Sequence, residues 1–471
     1  MNDTIPTPRG WVNEPDGRGT WSILSTCVLT IILCCWTSVA PNLPAESDGG
    51  FRRWRYKFDL ACITLLGSEF ILMLSLGQWS SARCSVKLTE QNFHEAGYKD
   101  WTIKHAFFAD MGGFLIKPLE ADLPSFPLDA KQLYILVKDK YLEYPNLNEE
   151  EIEDRNKSGK LARSVHGYLT SLSSLLVMHY SYLGRLFTLA QAIWFTLNCI
   201  FRFAQGIFVT TLELTTLSFI LAFLIMSYCW YHKPMDVNRP ITLQLTTSVA
   251  AIRENHQVSG LKWYETPFDY LSRDQGFLAR FWRYYIRILH HMHIPMATQP
   301  KRRPYDRIPS HYFLNTDSRA EIIAAPTIVL FSAMFLIAWN SHFPTATEKL
   351  LWRIASVNTL AYALIGSPLS AYFQRTMFRA ELRQQKAQAM LDRTREPKRW
   401  IDRFAAKLRN IDPEQDPDLE IPLRALIPVS FLCATYCVGR GFILTEDLIG
   451  LRSLPESAFQ TVSWSKYVPH L

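Results

Sequence analysis

The chain lacks a CxxC pair, and its nine cysteines are an odd number. Eight of them (Cys27, Cys34, Cys35, Cys62, Cys199, Cys229, Cys433 and Cys437) fall inside apolar blocks, and only Cys84 lies outside one. That pattern excludes a disulfide framework and a zinc spacing, and makes cysteine a small apolar filler. Also missing are a nucleophilic-serine elbow, a phosphate loop, an internal repeat and any low-complexity tract. No small-residue cleavage site follows the first apolar block, so it is expected to remain as a helix rather than leave as a signal peptide. No compact basic domain stands apart from the apolar blocks. The formal charge of +7 therefore reads as loop charge facing anionic lipid headgroups, with no nucleic acid expected. His290, His291 and His293 lack the partner clusters of a metal centre, and Asp412, Asp416 and Asp418 are interleaved with Pro413 and Pro417 as in a solvated turn. No metal and no cofactor are expected.

What is present is long apolar runs. Of 471 residues 48% are hydrophobic, yet the mean hydropathy is only −0.02, because the apolar residues gather in blocks separated by charged loops. The clearest block is Leu212–Trp230, about the length a helix needs to cross a bilayer. It ends in Tyr231-His232-Lys233-Pro234, an aromatic and cationic collar followed by a helix-stopping proline. With Trp21–Val39, Phe58–Trp79, Leu186–Phe203, Ile322–Trp339, Leu351–Phe373 and Ala425–Ile443 it makes about seven helices. The expected fold class is all-α, a polytopic transmembrane helix bundle over residues 1–471 as a single integral membrane domain. Its long loops are expected to be partly helical: 80–185, 232–320 and the charged helical run of 374–424.

In the second loop, Phe277, Phe281, Trp282, Tyr285, Ile288 and Leu289 share one helical face while Arg280, Arg283 and Arg287 share another, as in a helix lying in the membrane interface. Cations crowd the long loops near the membrane (Arg83, Lys87, Lys233, Arg239, Arg319, Arg375, Arg379 and Arg424), which places the loops and the amino terminus in the cytosol. Arg52, Arg53, Arg55 and Lys57 before the second helix pull the other way. The sequon at Asn156 would stay unmodified in this orientation.

Five places carry chemistry. Glu69, expected in mid-helix at membrane depth, must be protonated or partnered, and is either a general acid or an interhelical hydrogen-bond group. Thr210-Thr211-Leu212-Glu213 is a capping box, which favours a structural role for Glu213. Asp236, just past Pro234, reads as a cap for the next segment. His105-Ala106-Phe107-Phe108-Ala109-Asp110-Met111-Gly112-Gly113-Phe114 places an imidazole and a carboxylate five apart before two glycines. They form either an acid–base pair or a loop packed by its phenylalanines. Trp11, Glu14 and Arg18 crowd the start of the first helix and read as a plug over the bundle mouth, or as an Arg18–Glu14 pair.

Several of these stretches, taken together and in order, resemble one largely uncharacterised fungal family of multi-pass membrane proteins. They are Glu14-Pro15 with Arg18-Gly19-Thr20, the Arg-rich entry to the second helix with Glu69, the His105–Phe114 motif, Glu213 with His232–Asp236, and Arg452-Ser453-Leu454-Pro455 with the terminal Pro469-His470-Leu471. The resemblance points to fungal terpenoid and meroterpenoid biosynthesis, where some such proteins are membrane-bound cyclases. The chain has no DDxxD or NDxxD motif for ionising a pyrophosphate. The expectation is therefore an enzyme of the endoplasmic reticulum membrane that protonates an epoxide on a hydrophobic substrate. Glu69 or Asp110 would be the acid and His105 or Glu213 the base. Trp11, Glu14, Arg18, Phe107, Phe108, Trp194, Trp230 and Asp236 would line the substrate site, with tryptophan and phenylalanine rings stabilising developing positive charge. Two other classes remain open. One is a transporter or channel lined by Glu69, Gln191, Asn198 and Glu213, and the other is a signalling scaffold. Oligomeric assembly is left open.

Overall fold

The computed structural model describes residues 8–13, 18–88, 92–145, 147, 152, 167–235, 237, 239–272, 276–294, 296–298, 300, 302–314, 316–373, 400–412 and 414–464. Glu14, Asp236, the sequon at Asn156 and residues 374–399 of the charged run 374–424 lie outside them.

The described chain is mainly helical. Helix α1 (Thr20–Ser38) starts where the amino-terminal arm turns back on itself: the Val12 N–H donates to Thr20 Oγ1 and the Thr20 N–H to the Val12 carbonyl, both at 3.0 Å. Next come α2 (Gly50–Leu66), α3 (Ser68–Arg83), α4 (Ile103–Asp110), α5 (Ala130–Lys138), α6 (Gly167–Ala204) and α7 (Thr211–Cys229). After them follow α8 (Phe277–His291), α9 (Ser318–Ile337), α10 (Ala346–Tyr372), α11 (Trp400–Arg409) and α12 (Leu423–Ile449).

Five segments are long and apolar enough to cross a membrane by length and composition: Thr20–Ser38, Gly184–Ala204, Thr211–Cys229, Arg319–Asn340 and Leu423–Arg452. Of these α7 is the most enclosed, with α1, α3 and α9 packed around it. The expected sixth span is helical as α10 and packs against α9 and α12, but it is not among the five.

The second expected helix is not continuous. It breaks at Gly67 (φ −162°, ψ 86°), where a Cβ would sit 2.6 Å from the Phe70 ring. The consequence is specific: Glu69 lies in the first turn of α3, near the positive end of its dipole, rather than in mid-helix.

The loops are not purely helical either. Gly112, at φ +85°, turns the chain from α4 into strand β1 (Phe114–Lys117). It pairs antiparallel with β2 (Phe126–Leu128) and parallel with β3 (Ile241–Gln244), so the sheet order is β2-β1-β3 and the two long loops are tied together. Phe93, Trp101, Phe107, Phe108, Phe114 and Phe126 form a fully buried aromatic core under this sheet, with Phe93 stacked on Trp101 at 4.1 Å. A second short antiparallel pair joins Pro8–Arg9 to Leu454–Pro455, so the amino-terminal arm and the carboxy-terminal tail clasp each other.

Helix α8 also departs from expectation. Its apolar face packs on Phe373, Ile421 and Leu426, but its cationic face is covered too. Arg283 pairs with Glu265 and Arg287 with Asp412, so the cationic face of the helix is packed against carboxylates of other segments.

Gly77 marks the closest approach of α3 to the segment leading into α9, since a Cβ there would lie 2.6 Å from the Leu314 carbonyl oxygen. Gly77→Ala is expected to push this wall back at a cost of about 1–3 kcal/mol. Thermal unfolding of the detergent-solubilised protein reads the loss, and an unshifted transition would refute the contact.

Candidate functional site

Where the loops meet the bundle they enclose a cavity of about 130 Å3. Its walls come from α3 (Gln78), α4 (Asp110), the start of α5 (Asp129, Gln132), the 265–272 segment, α8 (Arg283) and the 305–314 segment. Each polar wall residue is held by local geometry. Asp129 caps α5, accepting the Gln132 N–H at 2.8 Å while Gln132 Oε1 accepts the Asp129 N–H at 3.1 Å. Asp269 accepts the N–H groups of Tyr264, Glu265 and Thr266 at 2.7–2.8 Å, which fixes the loop that presents Glu265. Glu265 in turn pairs with Arg283, whose guanidinium lies 4.0 Å over the Tyr312 ring.

Asp110, at the last turn of α4, accepts the Ala130 N–H at 3.0 Å through Oδ1, and the Ser81 side chain of α3 stands beside the carboxyl. Burial, with the neighbouring Asp129 carboxylate adding to it, pushes the Asp110 pKa up to about 7. Asp129 is raised as well, again by burial. Behind the wall is Lys233, just past α7 and buried. Its Nζ donates to the Ala40 carbonyl at 2.7 Å, Gln78 Oε1 at 2.9 Å and Asn42 Oδ1 at 3.0 Å. Burial brings its pKa down to about 7, and attraction to Asp110 offsets part of that fall. Trp230 Nε1 donates to the same Gln78 oxygen at 2.9 Å. The site thus has a weak buried acid, a weak buried base behind it and a fixed Arg–Glu pair opposite. That equipment suits moving a proton near neutral pH.

The residues singled out in the sequence fall into three separate places. Asp110 lines the cavity, and Trp230 supports it through Gln78. His105 does not join Asp110: its Nδ1 completes the Thr102 capping box and its Nε2 lies 2.9 Å from the Leu147 carbonyl. Phe107 and Phe108 belong to the aromatic core, and Phe108 meets Phe114 edge-on.

Glu213 lies at the other end of α7. The capping box forms there, and Glu213 also pairs with Arg18 at 2.6 Å and approaches Arg202 Nε at 3.8 Å. Arg18 therefore meets Glu213; Glu14, the partner weighed from the sequence, lies outside the described residues. Trp11 is exposed on the amino-terminal arm, and Trp194 is exposed and stacks on Trp464 at 5.3 Å. Gln191 donates to Thr30 Oγ1 at 3.1 Å.

Glu69 occupies a third place, inside the bundle, where it accepts a short hydrogen bond from the Tyr436 hydroxyl. Sequence reasoning passed over Gln78, Glu265, Tyr436, Arg440 and Asp447, and it read Lys233 and Arg283 as cations at the membrane surface rather than as site residues. For Arg440 the signal was present: an arginine inside an apolar run is as notable as the glutamate that was noted. The cavity's loop residues carried no comparable signal.

His290 and His291, weighed as metal ligands, contact the backbone carbonyls of Met296 and Arg287 at 2.8 and 2.9 Å. Asp412 is engaged by Arg287, and Asp416 caps the 417–419 turn.

The fold and site define a helical protein with five segments able to span a membrane and a cavity lined by buried carboxylates at the edge of its bundle. The chain belongs to a family of unknown function (DUF8562), whose model matches residues 3–171 and 315–471. No curated protein and no solved structure matches it. The matched segments include Asp110, Glu69, Tyr436, Arg440 and Asp447, whereas Lys233, Glu265 and Arg283 lie between them.

Proposed function

We propose that this protein is a membrane-embedded enzyme that uses Asp110 as a general acid on a lipid-soluble substrate. The observation that carries the reading is the buried Asp110 carboxyl at the cavity wall, with a pKa of about 7. A carboxylic acid of that strength is protonated at working pH yet able to give its proton up. The form we favour is a terpenoid or meroterpenoid cyclase in the endoplasmic reticulum, with the amino terminus and loops in the cytosol. Asp110 gives its proton to an epoxide oxygen as the C–O bond breaks. Tyr305 and Phe313, which line the same cavity, would stand beside the developing cation, and an alkene or hydroxyl closes the ring. The proton released at the end returns to the Asp110–Asp129 pair, so the product is an isomer of the substrate. A cavity of this volume takes the reacting end of such a molecule and not its whole isoprenoid chain. Transport is the second reading, supported by the line of polar side chains inside the bundle around Glu69.

Microsomes carrying the protein, incubated with epoxidised farnesyl-phenols, test the first reading. A cyclic product of unchanged mass, formed by the wild type and lost in Asp110→Asn, is the expected result. A product that persists in Asp110→Asn would remove Asp110 as the acid. No conversion, with ion flux in liposomes, would favour transport.

A further inference from the structure

One face of α12 carries Tyr436, Arg440 and Asp447 through the apolar bundle. The spacing of four and then seven residues keeps all three on the same side of the helix, over a rise of roughly 16 Å. Arg440 is 2% exposed, and none of its three nitrogens has a hydrogen-bond partner. Its guanidinium lies 5.0–5.3 Å from the rings of Phe335, Phe331 and Phe219, which attract a cation but cannot neutralise it. An arginine stays charged in proteins, and a buried charge without compensation costs several kcal/mol or more.

Two buried carboxylates flank it. On one side Glu69 of α3 accepts from the Tyr436 hydroxyl, one turn before Arg440, and its Oε2 has no partner. On the other, Asp447 accepts the Thr215 hydroxyl of α7 at 2.6 Å, with Thr211 beside it. Both Tyr436 and Asp447 are within electrostatic reach of Arg440. The remaining titratable groups around the line are Tyr362 of α10 beside Glu69 and Tyr436, Cys433 and Cys437 of α12, and Cys35 of α1. None of these carries charge at neutral pH in such surroundings. Glu446 is buried next to Asp447 and within electrostatic reach of it, and within reach as well of Glu348 and of Arg452, the cation on its own side, so it is counted with that pair.

The charge count is then one fixed cation against two carboxylates in a low-dielectric interior. One carboxylate must be ionised to balance Arg440, and the second is costly to ionise because nothing balances it. We propose that Glu69 and Asp447 form an intramembrane proton-binding site in which the two carboxyls share one proton around Arg440. Moving the proton from one carboxyl to the other exchanges which of them pairs electrostatically with the arginine, so the line is a relay along the membrane normal. The site is separate from Asp110 and stands whether or not that residue is an acid.

Infrared spectra of the full-length protein in lipid, with 13C in aspartate or glutamate side chains, test the proposal through a cross-effect. Sharing requires that neutralising one carboxyl forces the other to ionise. The protonated-carboxyl band of labelled aspartate should therefore weaken in Glu69→Gln, or that of labelled glutamate in Asp447→Asn, although the labelled residue type is unchanged at the site read. In Glu69→Gln/Arg440→Gln the aspartate band should return. If neither single variant changes the band of the other residue type, each carboxyl has its own proton state and the proposal is overturned. The single variants keep one carboxylate opposite Arg440, so the test does not depend on a protein with an uncompensated cation. Asp110→Asn serves as the reference, because it lies outside the Arg440 line and leaves Glu69 and Asp447 in place.

Discussion

Asp110→Asn is expected to lower product formation by roughly 10²–10⁴-fold, the range general acids contribute. The amide keeps the volume of the side chain and an acceptor for the Ala130 N–H, but has no proton to donate. Wild-type turnover should be steady below about pH 7 and fall above it, as Asp110 loses its proton. Stability should respond with the opposite consequence for the variant. Because the folded-state pKa is raised, the folded protein holds more protons than the unfolded chain between the ordinary carboxylate range and about pH 7. The Asp110 contribution therefore falls as pH rises through that window, and above it the folded state bears the cost of a buried carboxylate. Lys233 acts in the next window. Its lowered pKa means the folded protein holds fewer protons from about pH 7 to 10.5, so its contribution grows as pH rises there. In Asp110→Asn the fall in stability up to pH 7 should flatten while activity is lost. A variant that loses activity and stability together at pH 8 would show a packing defect and not a missing acid.

Glu213→Ala is expected to be the most destabilising single change at the far end of the bundle. Glu213 is 1% exposed and Arg202 2% exposed, and Arg18 joins them at 2.6 Å from the carboxylate. Removing the carboxylate leaves two cations facing each other and also removes the acceptor for the Thr210 N–H at the start of α7. Breaking a buried pair in this way costs about 3–5 kcal/mol. Arg202 would keep its bonds to the carbonyls of Phe208, Ala458 and Gln460, so the clasp with the tail should loosen without opening. By contrast Arg9, paired with Glu456 on the surface, should tolerate alanine within about 1 kcal/mol. Urea or thermal unfolding in detergent compares the two. Equal effects from both substitutions would mean that the Glu213 cluster is hydrated and not buried.

Much of the helical frame was legible because its signals are local. An apolar run of membrane length, the Thr-x-x-Glu box at Thr210 and the collar after Trp230 each state a boundary within a few residues. The break at Gly67 was not legible, because a glycine inside an apolar run is compatible with a continuous helix. Only the clash that a side chain would make with Phe70 marks the interruption. The small sheet escaped notice for a related reason: its strands are three or four residues long and two of them pair across more than a hundred positions. Helix α8 was recognised as amphipathic, yet periodicity could not say that its arginines face Glu265 and Asp412, which come from other segments.

The candidate site divides the same way. Glu69, Asp110 and Glu213 stood out in the sequence because carboxylates in apolar or glycine-flanked stretches are costly unless used. What the sequence by itself determined is that the chain carries several membrane-length apolar helices, that Thr210 and Glu213 cap one of them, and that acids lie in apolar or glycine-flanked stretches. Only the tertiary structure decided their partners. It gave Tyr436 to Glu69 from 367 positions away, Arg18 to Glu213 from 195, and Gln78 to Lys233 from 155. The physical reason is that helix formation is set by neighbours along the chain, whereas a partner depends on how each helix is rotated and packed against others. That rotation is fixed by the combined fit of many side chains, and no single stretch of sequence contains it.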